Sequence, residues 1–189
     1  MPYLAGARQL PTLDAGPFAL RPIRPEDAQD LFAIFGDVET MRYWSSPPLE
    51  DPDAARDLIG EIHAGFHGRR LFQWGIVRPE DDRVLGTATL AHLDEQNRRA
   101  EIGFALLRRE WGKRVMSRIL PVVLRYAFKT LNLHRIEADV DPHNPASIRL
   151  LEKMGFKKEG YRRESYILGG EIQDAVVYGL LKREFETGR

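Results

Sequence analysis

The chain carries the sequence EIGFALLRREWGKRVM at residues 101–116, where an apolar run leads through a glycine-containing turn into a helical pattern. The run predicts a strand from Glu101 to Leu107, and the pattern after it predicts a long helix from about Gly112 to Leu131. A strand that enters a helix in this way directs several backbone N–H groups and the positive end of the helix dipole at one point. We therefore expect a binding site for a phosphate or pyrophosphate at this turn. One residue departs from the expected form, since Arg114 stands where a phosphate-binding loop most needs glycine.

The composition is that of a globular protein without a dominant charge. Of 189 residues, 43% are hydrophobic and 30% are charged, so we expect residues 1–189 to form one domain. Lys plus Arg number 28, as do Asp plus Glu, so no net field favours nucleic acid or a membrane surface. The absence of cysteine excludes a thiol nucleophile and cysteine-ligated metal. His63 and His67 lie four residues apart but lack an obvious third ligand, so no metal site is predicted. No apolar run approaches the roughly 20 residues that cross a bilayer, and the expected location is cytoplasmic.

Proline and glycine divide the chain into helices and strands. Three helices are predicted to begin with proline at their first position, where its missing N–H costs nothing, at Pro25, Pro52 and Pro145. The helix after Gly112 makes the total about four. Seven strand patterns occur, at residues 18–23, 72–77, 84–90, 101–107, 135–140, 161–168 and 172–181. The order β-α-α-β-β-β-α-β-α-β-β predicts a mixed α/β sheet.

This order and its motifs resemble the GNAT superfamily of acetyl-CoA-dependent N-acetyltransferases, and within it the ribosomal-protein-alanine acetyltransferase (RimJ/RimL-like) type. The matching segments are LRPIRPED at 20–27, MRYW at 41–44, EIGF at 101–104, WGK at 111–113, HRIEA at 134–138, NPAS at 144–147 and LLEKMGF at 150–156. The resemblance implies a mostly antiparallel, seven-stranded twisted sheet with about four helices on both faces. It also implies a V-shaped splay between the strand that begins at Glu101 and the strand that ends near Val140.

The resemblance assigns coenzyme A to the two arms of this V. It implies that Phe104, Ala105 and Leu106 meet the pantetheine arm. It implies that the pyrophosphate is held by the backbone of Trp111, Gly112, Lys113, Arg114, Val115 and Met116. The family pattern is Gln or Arg, two residues, Gly, one residue, then Gly or Ala, so Arg114 replaces its central glycine. Two interpretations stay open: the β-carbon of Arg114 blocks close approach of the backbone, or its guanidinium pairs with the phosphates itself.

The implied reaction is acetyl transfer from a thioester to an amine by direct attack in a ternary complex. It needs a base, donors for the developing oxyanion and a proton for the thiolate. Glu101 is the candidate base, directly or through a water, and the alternative is an ordinary carboxylate at a strand end. Ser147 is the candidate donor near the sulfur, and the alternative is a first-turn helix hydroxyl.

The helix that begins at Pro145 carries one more candidate and one departure from the family. Asn144 reaches the pantetheine amide in the family, although its position before proline also suits the N-cap of its own helix. Many relatives carry a tyrosine acid immediately after the position of Leu150, but here that residue is Leu151. If the chain is an enzyme, Ser147 or water must therefore supply the proton.

Four residues are candidates for binding the acceptor amine. Tyr43 and Trp44 follow the first helix, where they would floor an amine pocket or pack in the core. Glu137 and Asp139 lie on one face of a strand, where they would shape the pocket, serve as the base, or form ordinary salt bridges.

The sequence thus predicts an acetyl-CoA-dependent N-acetyltransferase that acts on a primary amine. The first expected acceptor is the N-terminal amine of a protein or peptide, and the second is a small amine such as a polyamine, an amino acid or an aminoglycoside. The rival hypothesis is a catalytically degenerate GNAT fold that binds coenzyme A, or only a protein partner, without turnover. Neither nucleic acid nor a membrane is expected as a partner, and pairing of the C-terminal hairpin with a second copy would give a homodimer.

Overall fold

A computed structural model of the protein describes residues 9–187, and within them eight strands form one sheet that six helices accompany. The strands are β1 (Leu13–Asp14), β2 (Ala19–Pro22), β3 (Leu71–Val77), β4 (Val84–Asp94), β5 (Arg99–Leu106), β6 (Arg135–Val140), β7 (Lys157–Leu168) and β8 (Glu171–Leu181). The helices are α1 (Ala28–Phe35), α2 (Val38–Met41), α3 (Pro52–His67), α4 (Val115–Arg125), α5 (Pro145–Lys153) and α6 (Lys182–Thr187). None of these helices is long and apolar enough to span a membrane.

The sheet is mixed and mostly antiparallel, as predicted, but the prediction of seven strands is wrong by one. Its strands lie in the order β1-β2-β3-β4-β5-β6-β8-β7, with only β5 and β6 parallel among the described residues. The additional strand is β1, whose Leu13 and Asp14 pair with β2. Two residues are too few to show the alternation that identifies a strand. The expected number of about four helices is also too low for residues 9–187, because α2 and α6 are short and lack a proline start.

The predicted V-shaped splay lies between β5 and β6. Their parallel ladder has three pairs, Arg99 with Arg135, Ala100 with Ile136 and Glu101 with Glu137. Beyond them, residues 102–106 of β5 pair with β4, while residues 138–140 of β6 pair with β8. The two central strands therefore separate immediately after Glu101, and the edge of β5 that faces β6 is not used by the sheet from there on.

Helix α4 fixes one wall of this opening. Its apolar face buries Val115, Met116, Ile119, Leu120, Val123 and Leu124. A π-helical turn at Tyr126–Thr130 continues the helix, and the Tyr126 ring packs edge-on against buried Trp74 of β3, with 5.4 Å between ring centroids. Because this packing anchors α4 to the sheet, the turn that joins it to β5 has a defined position.

The LRPIRPED motif builds a buried ion pair away from the opening. Arg21 is 5% exposed, and its two terminal nitrogens donate to the carboxylate of Asp27 at 2.7 and 2.8 Å. Its Nε donates to Asp82 at 2.7 Å. These bonds join β2 to the turn before α1 and to the β3–β4 turn, so the motif supports the fold.

Candidate active site

A cleft of about 510 Å³ opens where β5 and β6 separate. Its lining comes from five segments: residues 39–44 around α2, 102–106 of β5, 110–117 at the start of α4, 138–141 at the end of β6, and 144–151 of α5. All residues predicted for the site line this cleft except Glu101, Lys113 and Glu137. The structure therefore brings together parts of the chain that lie more than 100 residues apart.

The wall formed by β5 is apolar. Ala105 and Leu106 are 5% and 9% exposed, and Phe104 is half-buried. Trp44 lies over this wall, since a β-carbon on Gly103 would come within 3.9 Å of the indole ring. Trp44 also packs edge-on against Phe35 of α1, with ring centroids 5.8 Å apart. It thus contributes both to the core and to the cleft, and Tyr43 lines the cleft beside it.

The turn after β5 has the shape of a phosphate loop despite Arg114. Gly112 has φ of +74°, and Arg114 has φ of +59° and ψ of 21° at the N-cap of α4. This is the left-handed region, which costs a non-glycine residue roughly 1–2 kcal/mol. The Trp111 indole N–H closes the turn by donating to the Leu106 carbonyl at 2.7 Å. Arginine therefore adopts the conformation that glycine would have adopted, and its exposed side chain has no ion-pair partner within residues 9–187.

A buried carboxylate supports the turn from behind. Glu110 is 4% exposed, accepts a bond from Arg78 at 2.6 Å and lies 3.4 Å from the Lys113 ammonium. Arg78 is the main reason that the pKa of Glu110 is lowered. The Lys113 side chain is therefore held by Glu110, and the Lys113 N–H donates to the Glu110 carbonyl at 3.4 Å. Arg78 and Glu110 were not predicted from the sequence. Arg78 directly follows β3, and no sequence pattern links that position to the turn that contains Glu110.

Helix α5 begins at the cleft with Asn144 and Ser147. The Asn144 Oδ1 accepts a hydrogen bond from the Ser147 N–H at 3.1 Å, so the N-cap interpretation of Asn144 is confirmed. The cap uses the oxygen, and the side-chain amide nitrogen keeps its capacity to donate. Both residues are half-buried and line the cleft. Leu151 is fully buried, which is the environment that favours an apolar side chain at this position.

Three carboxylates gather at the vertex of the V and along β6. Glu101 and Glu137 form the last parallel pair, and Asp139 follows on the cleft side. Burial is the main cause that raises the pKa of Glu101, followed by the negative charge of Asp139, with a smaller contribution from Glu137. Glu101 is therefore a carboxyl with an increased proton affinity, a property of candidate acid–base groups.

The other two carboxylates carry salt bridges from this chain. Glu137 accepts a bond from the Nε of Arg135 at 2.8 Å. Asp139 accepts bonds from Arg162 and from the Tyr166 hydroxyl, the latter at 3.0 Å. Burial and Asp139 together raise the pKa of Tyr166 to about 12. Arg162 and Tyr166 lie on β7, and sequence analysis missed both because their partner is on a strand two places away in the sheet.

No cluster of three or more metal-ligating side chains occurs among residues 9–187. His63 and His67 instead contact backbone oxygens of Ile23 and His63, at 2.9 and 2.7 Å. The polar groups at the cleft are carboxylates, hydroxyls, an amide, the Arg114 guanidinium and backbone N–H groups.

Comparison with known proteins agrees with this geometry. The acetyltransferase (GNAT) domain profile matches residues 18–157. The uncharacterized N-acetyltransferase p20 of Bacillus licheniformis is 37% identical over 174 residues, covering 92% of this chain and 98% of that protein. The [ribosomal protein uS5]-alanine N-acetyltransferase of Escherichia coli is 30% identical over 139 residues, 73% of this chain and 72% of that protein. The chain therefore belongs to the GNAT acetyltransferase family, and its reaction class is N-acetyl transfer from acetyl-CoA.

A solved structure shares the fold. The spermidine N-acetyltransferase from Vibrio cholerae, in complex with CoA and spermine, superposes with a TM-score of 0.81 at 24% sequence identity, covering 90% of this chain and 98% of that one. The relatives thus include enzymes named for a protein acceptor and for a polyamine acceptor.

Proposed function

We propose that the chain transfers the acetyl group of acetyl-CoA to the N-terminal amine of a peptide or protein, by direct attack of the amine in a ternary complex. The separation of β5 from β6 after Glu101 is the observation that carries this proposal. It leaves the backbone edge of β5 open over residues 102–106, beside the start of α4 and the start of α5.

The residues at this opening suit coenzyme A. We expect the pantetheine arm along Phe104, Ala105 and Leu106, where the backbone groups that face away from β4, such as those of Phe104, can bind an extended, amide-containing arm as an edge strand binds an added strand. The Leu106 carbonyl already accepts the Trp111 indole N–H. The Asn144 amide nitrogen can donate to the same arm. The backbone of residues 111–116 offers N–H groups at a helix N-terminus to the pyrophosphate. The exposed Arg114 guanidinium can add a positive charge beside the phosphates.

Acetyl-CoA supplies an acetyl group that its thioester has already activated. Glu101 takes the proton from the acceptor ammonium, through a water, because it lies at the vertex just beyond the cleft lining. Its raised pKa makes it a stronger base than an ordinary carboxylate when it is ionised. Ser147, whose backbone N–H is used by the helix cap, keeps its hydroxyl to donate to the departing thiolate.

At the acceptor end, an amine can bind beside an aromatic surface. Tyr43 and Trp44 form that surface, and Asp139 and Asp141 line the opposite side. The similarity to a ribosomal-protein alanine acetyltransferase favours an N-terminal amine on a small residue. Glu137 lies near this end and keeps Arg135 in place.

A small polyamine is the second candidate acceptor. The observation in its favour is the group of carboxylates near the vertex, together with the likeness in fold to a spermidine N-acetyltransferase. Polyamines carry several ammonium groups, and each binds best to a carboxylate that is not already paired.

Two measurements test the proposal. Isothermal titration with acetyl-CoA tests binding, and thiol release tests turnover with a peptide that begins with alanine. The same peptide with a blocked N-terminus is the matched control. We expect acetyl-CoA binding, and thiol release only with the free amine. Absence of acetyl-CoA binding would contradict the proposal at the coenzyme, and binding without release from any amine would support the degenerate fold.

A further inference from the structure

We infer that Arg162 determines acceptor specificity: by holding Asp139, it reserves the acceptor end for molecules with a single cationic amine and disfavours polyamines. This inference rests on the proposed function, because it names the class of amine that the same cleft accepts. Arg162 belongs to the acceptor end and is not one of the residues proposed to bind coenzyme A.

The first observation is the pairing of the acidic residues. The two carboxylates of β6 near the acceptor end, Glu137 and Asp139, resemble a site for positive charges, but the chain pairs both of them itself. Arg135 holds Glu137, and Arg162 and Tyr166 hold Asp139. An ammonium group that binds Glu137 or Asp139 would have to displace a guanidinium from that carboxylate.

The second observation is which partner of the Asp139 pair is accessible. The side chain of Asp139 is 9% exposed, whereas that of Arg162 is 53% exposed. Asp139 lines the cleft, and the guanidinium that holds it stays accessible to solvent. A guanidinium has five N–H donors, so those that Asp139 does not use can bind a carbonyl or carboxylate of a peptide acceptor.

The third observation is a deformation of β7 that puts Arg162 in this place. Between Arg162 and Tyr166 the register against β8 shifts, and Glu164 between them has φ of +53°. The Asp174 carboxylate of β8 accepts a bond from the Glu164 N–H at 2.7 Å and holds the bulge. Bulges re-aim side chains and are frequent beside active sites. Both side chains that flank this bulge contact Asp139.

The fourth observation places Arg162 near the proposed base. Its positive charge is one of two that lower the pKa of Glu101, the other being that of His92. Arg162 thus acts on the same small region in which the acceptor amine would lose its proton.

The test compares Arg162→Gln with Arg163→Gln, which removes an exposed charge from the neighbouring position of the same strand. Each protein is saturated with coenzyme A and titrated with spermidine and with n-butylamine, which has one ammonium group. We expect Arg162→Gln to bind spermidine about tenfold more tightly than the unchanged protein, since an unpaired buried carboxylate gains a partner. We expect no change in n-butylamine binding, and no change for either amine in Arg163→Gln.

Unchanged spermidine binding in Arg162→Gln would overturn the inference, as would an equal gain in Arg163→Gln, which would reveal a general charge effect. If Arg162→Gln does not fold, Arg162→Lys replaces it. Lysine holds Asp139 with one point charge, so a smaller gain for spermidine is expected, and no gain overturns the inference. Because binding is measured, the result does not depend on turnover. If the unsubstituted protein does not acetylate the peptide, that result contradicts the proposed function but not the inference about Arg162.

Discussion

The two ends of the cleft are built from different parts of the polypeptide. At the proposed coenzyme end the backbone provides the surface, through the open edge of β5, the left-handed residues Gly112 and Arg114, and the first turn of α4. At the acceptor end charged side chains provide it, and Glu101, Asp139 and Arg162 come from three different strands.

This difference separates what is fixed in the reaction from what can vary. A backbone surface changes only when the main chain moves, so it suits a cosubstrate that is the same for every member of the family. A side-chain surface changes with single substitutions, so it suits acceptors that differ among relatives. Substitutions at the acceptor end should therefore change rate and specificity while leaving coenzyme binding intact, and substitutions at the coenzyme end should do the reverse.

The largest expected effect is that of Glu101→Gln. Removal of the base should lower kcat by about 10²–10³-fold, within the range of general base catalysis, and should leave acetyl-CoA affinity unchanged. Thiol-release kinetics and calorimetry measure the two quantities. Glu137→Gln is the matched control. Glu137 lies opposite Glu101 in the register of β5 and β6, but its carboxylate is held by Arg135. If both variants lost the same factor in kcat, the assignment of Glu101 as the base and Glu137 as a salt-bridge residue would be contradicted.

A smaller effect is expected at Arg114, where backbone and side chain can be tested separately. Arg114→Gly should raise the free energy of unfolding by about 1 kcal/mol, because glycine has no penalty at positive φ. It should also weaken acetyl-CoA binding about tenfold through loss of a charge-assisted bond to phosphate. Arg114→Ala should lose the same affinity without the gain in stability. Tighter binding by Arg114→Gly would instead show that the β-carbon obstructs the coenzyme.

The smallest effect concerns pH. Glu101 acts as a base only when ionised, and burial, Asp139 and Glu137 raise its pKa, while His92 and Arg162 lower it. The acid limb of kcat/KM should therefore lie above the range of an ordinary carboxyl group, and activity should fall as pH decreases through it. Arg162→Gln removes one of the lowering charges and should move this limb to higher pH by a fraction of a unit. An acid limb that persists unchanged in Glu101→Gln would assign it to another group.

The coenzyme end could be predicted from the sequence because its signals are local. The strand, the turn and the helix of residues 101–131 follow each other in the chain, and the Asn144 cap lies beside Pro145 and Ser147. The family resemblance, not these local signals, assigned Phe104 and Trp111 to the site, and both line the cleft. The left-handed conformation explains how Arg114 fits the turn.

The acceptor end could be predicted only in part. Glu101 and Asp139 were identified, but their surroundings depend on contacts across the sheet. Arg162 reaches Asp139 from β7 past β8, and the bulge at Glu164 that permits this has no glycine to mark it. Likewise, the Arg78–Glu110 pair behind the turn joins residues 32 positions apart. Strand β1 escaped prediction for a different reason, since two residues carry no periodicity.

A crystal structure with bound coenzyme A tests the division of the cleft most directly. We expect the pantetheine arm alongside residues 104–106 of β5 and the pyrophosphate on the backbone of residues 111–116, with the sulfur nearer Ser147 and Glu101 than the phosphates are. Phosphates bound among Asp139, Arg162 and Tyr166, or a pantetheine arm that leaves the edge of β5 uncovered, would contradict it.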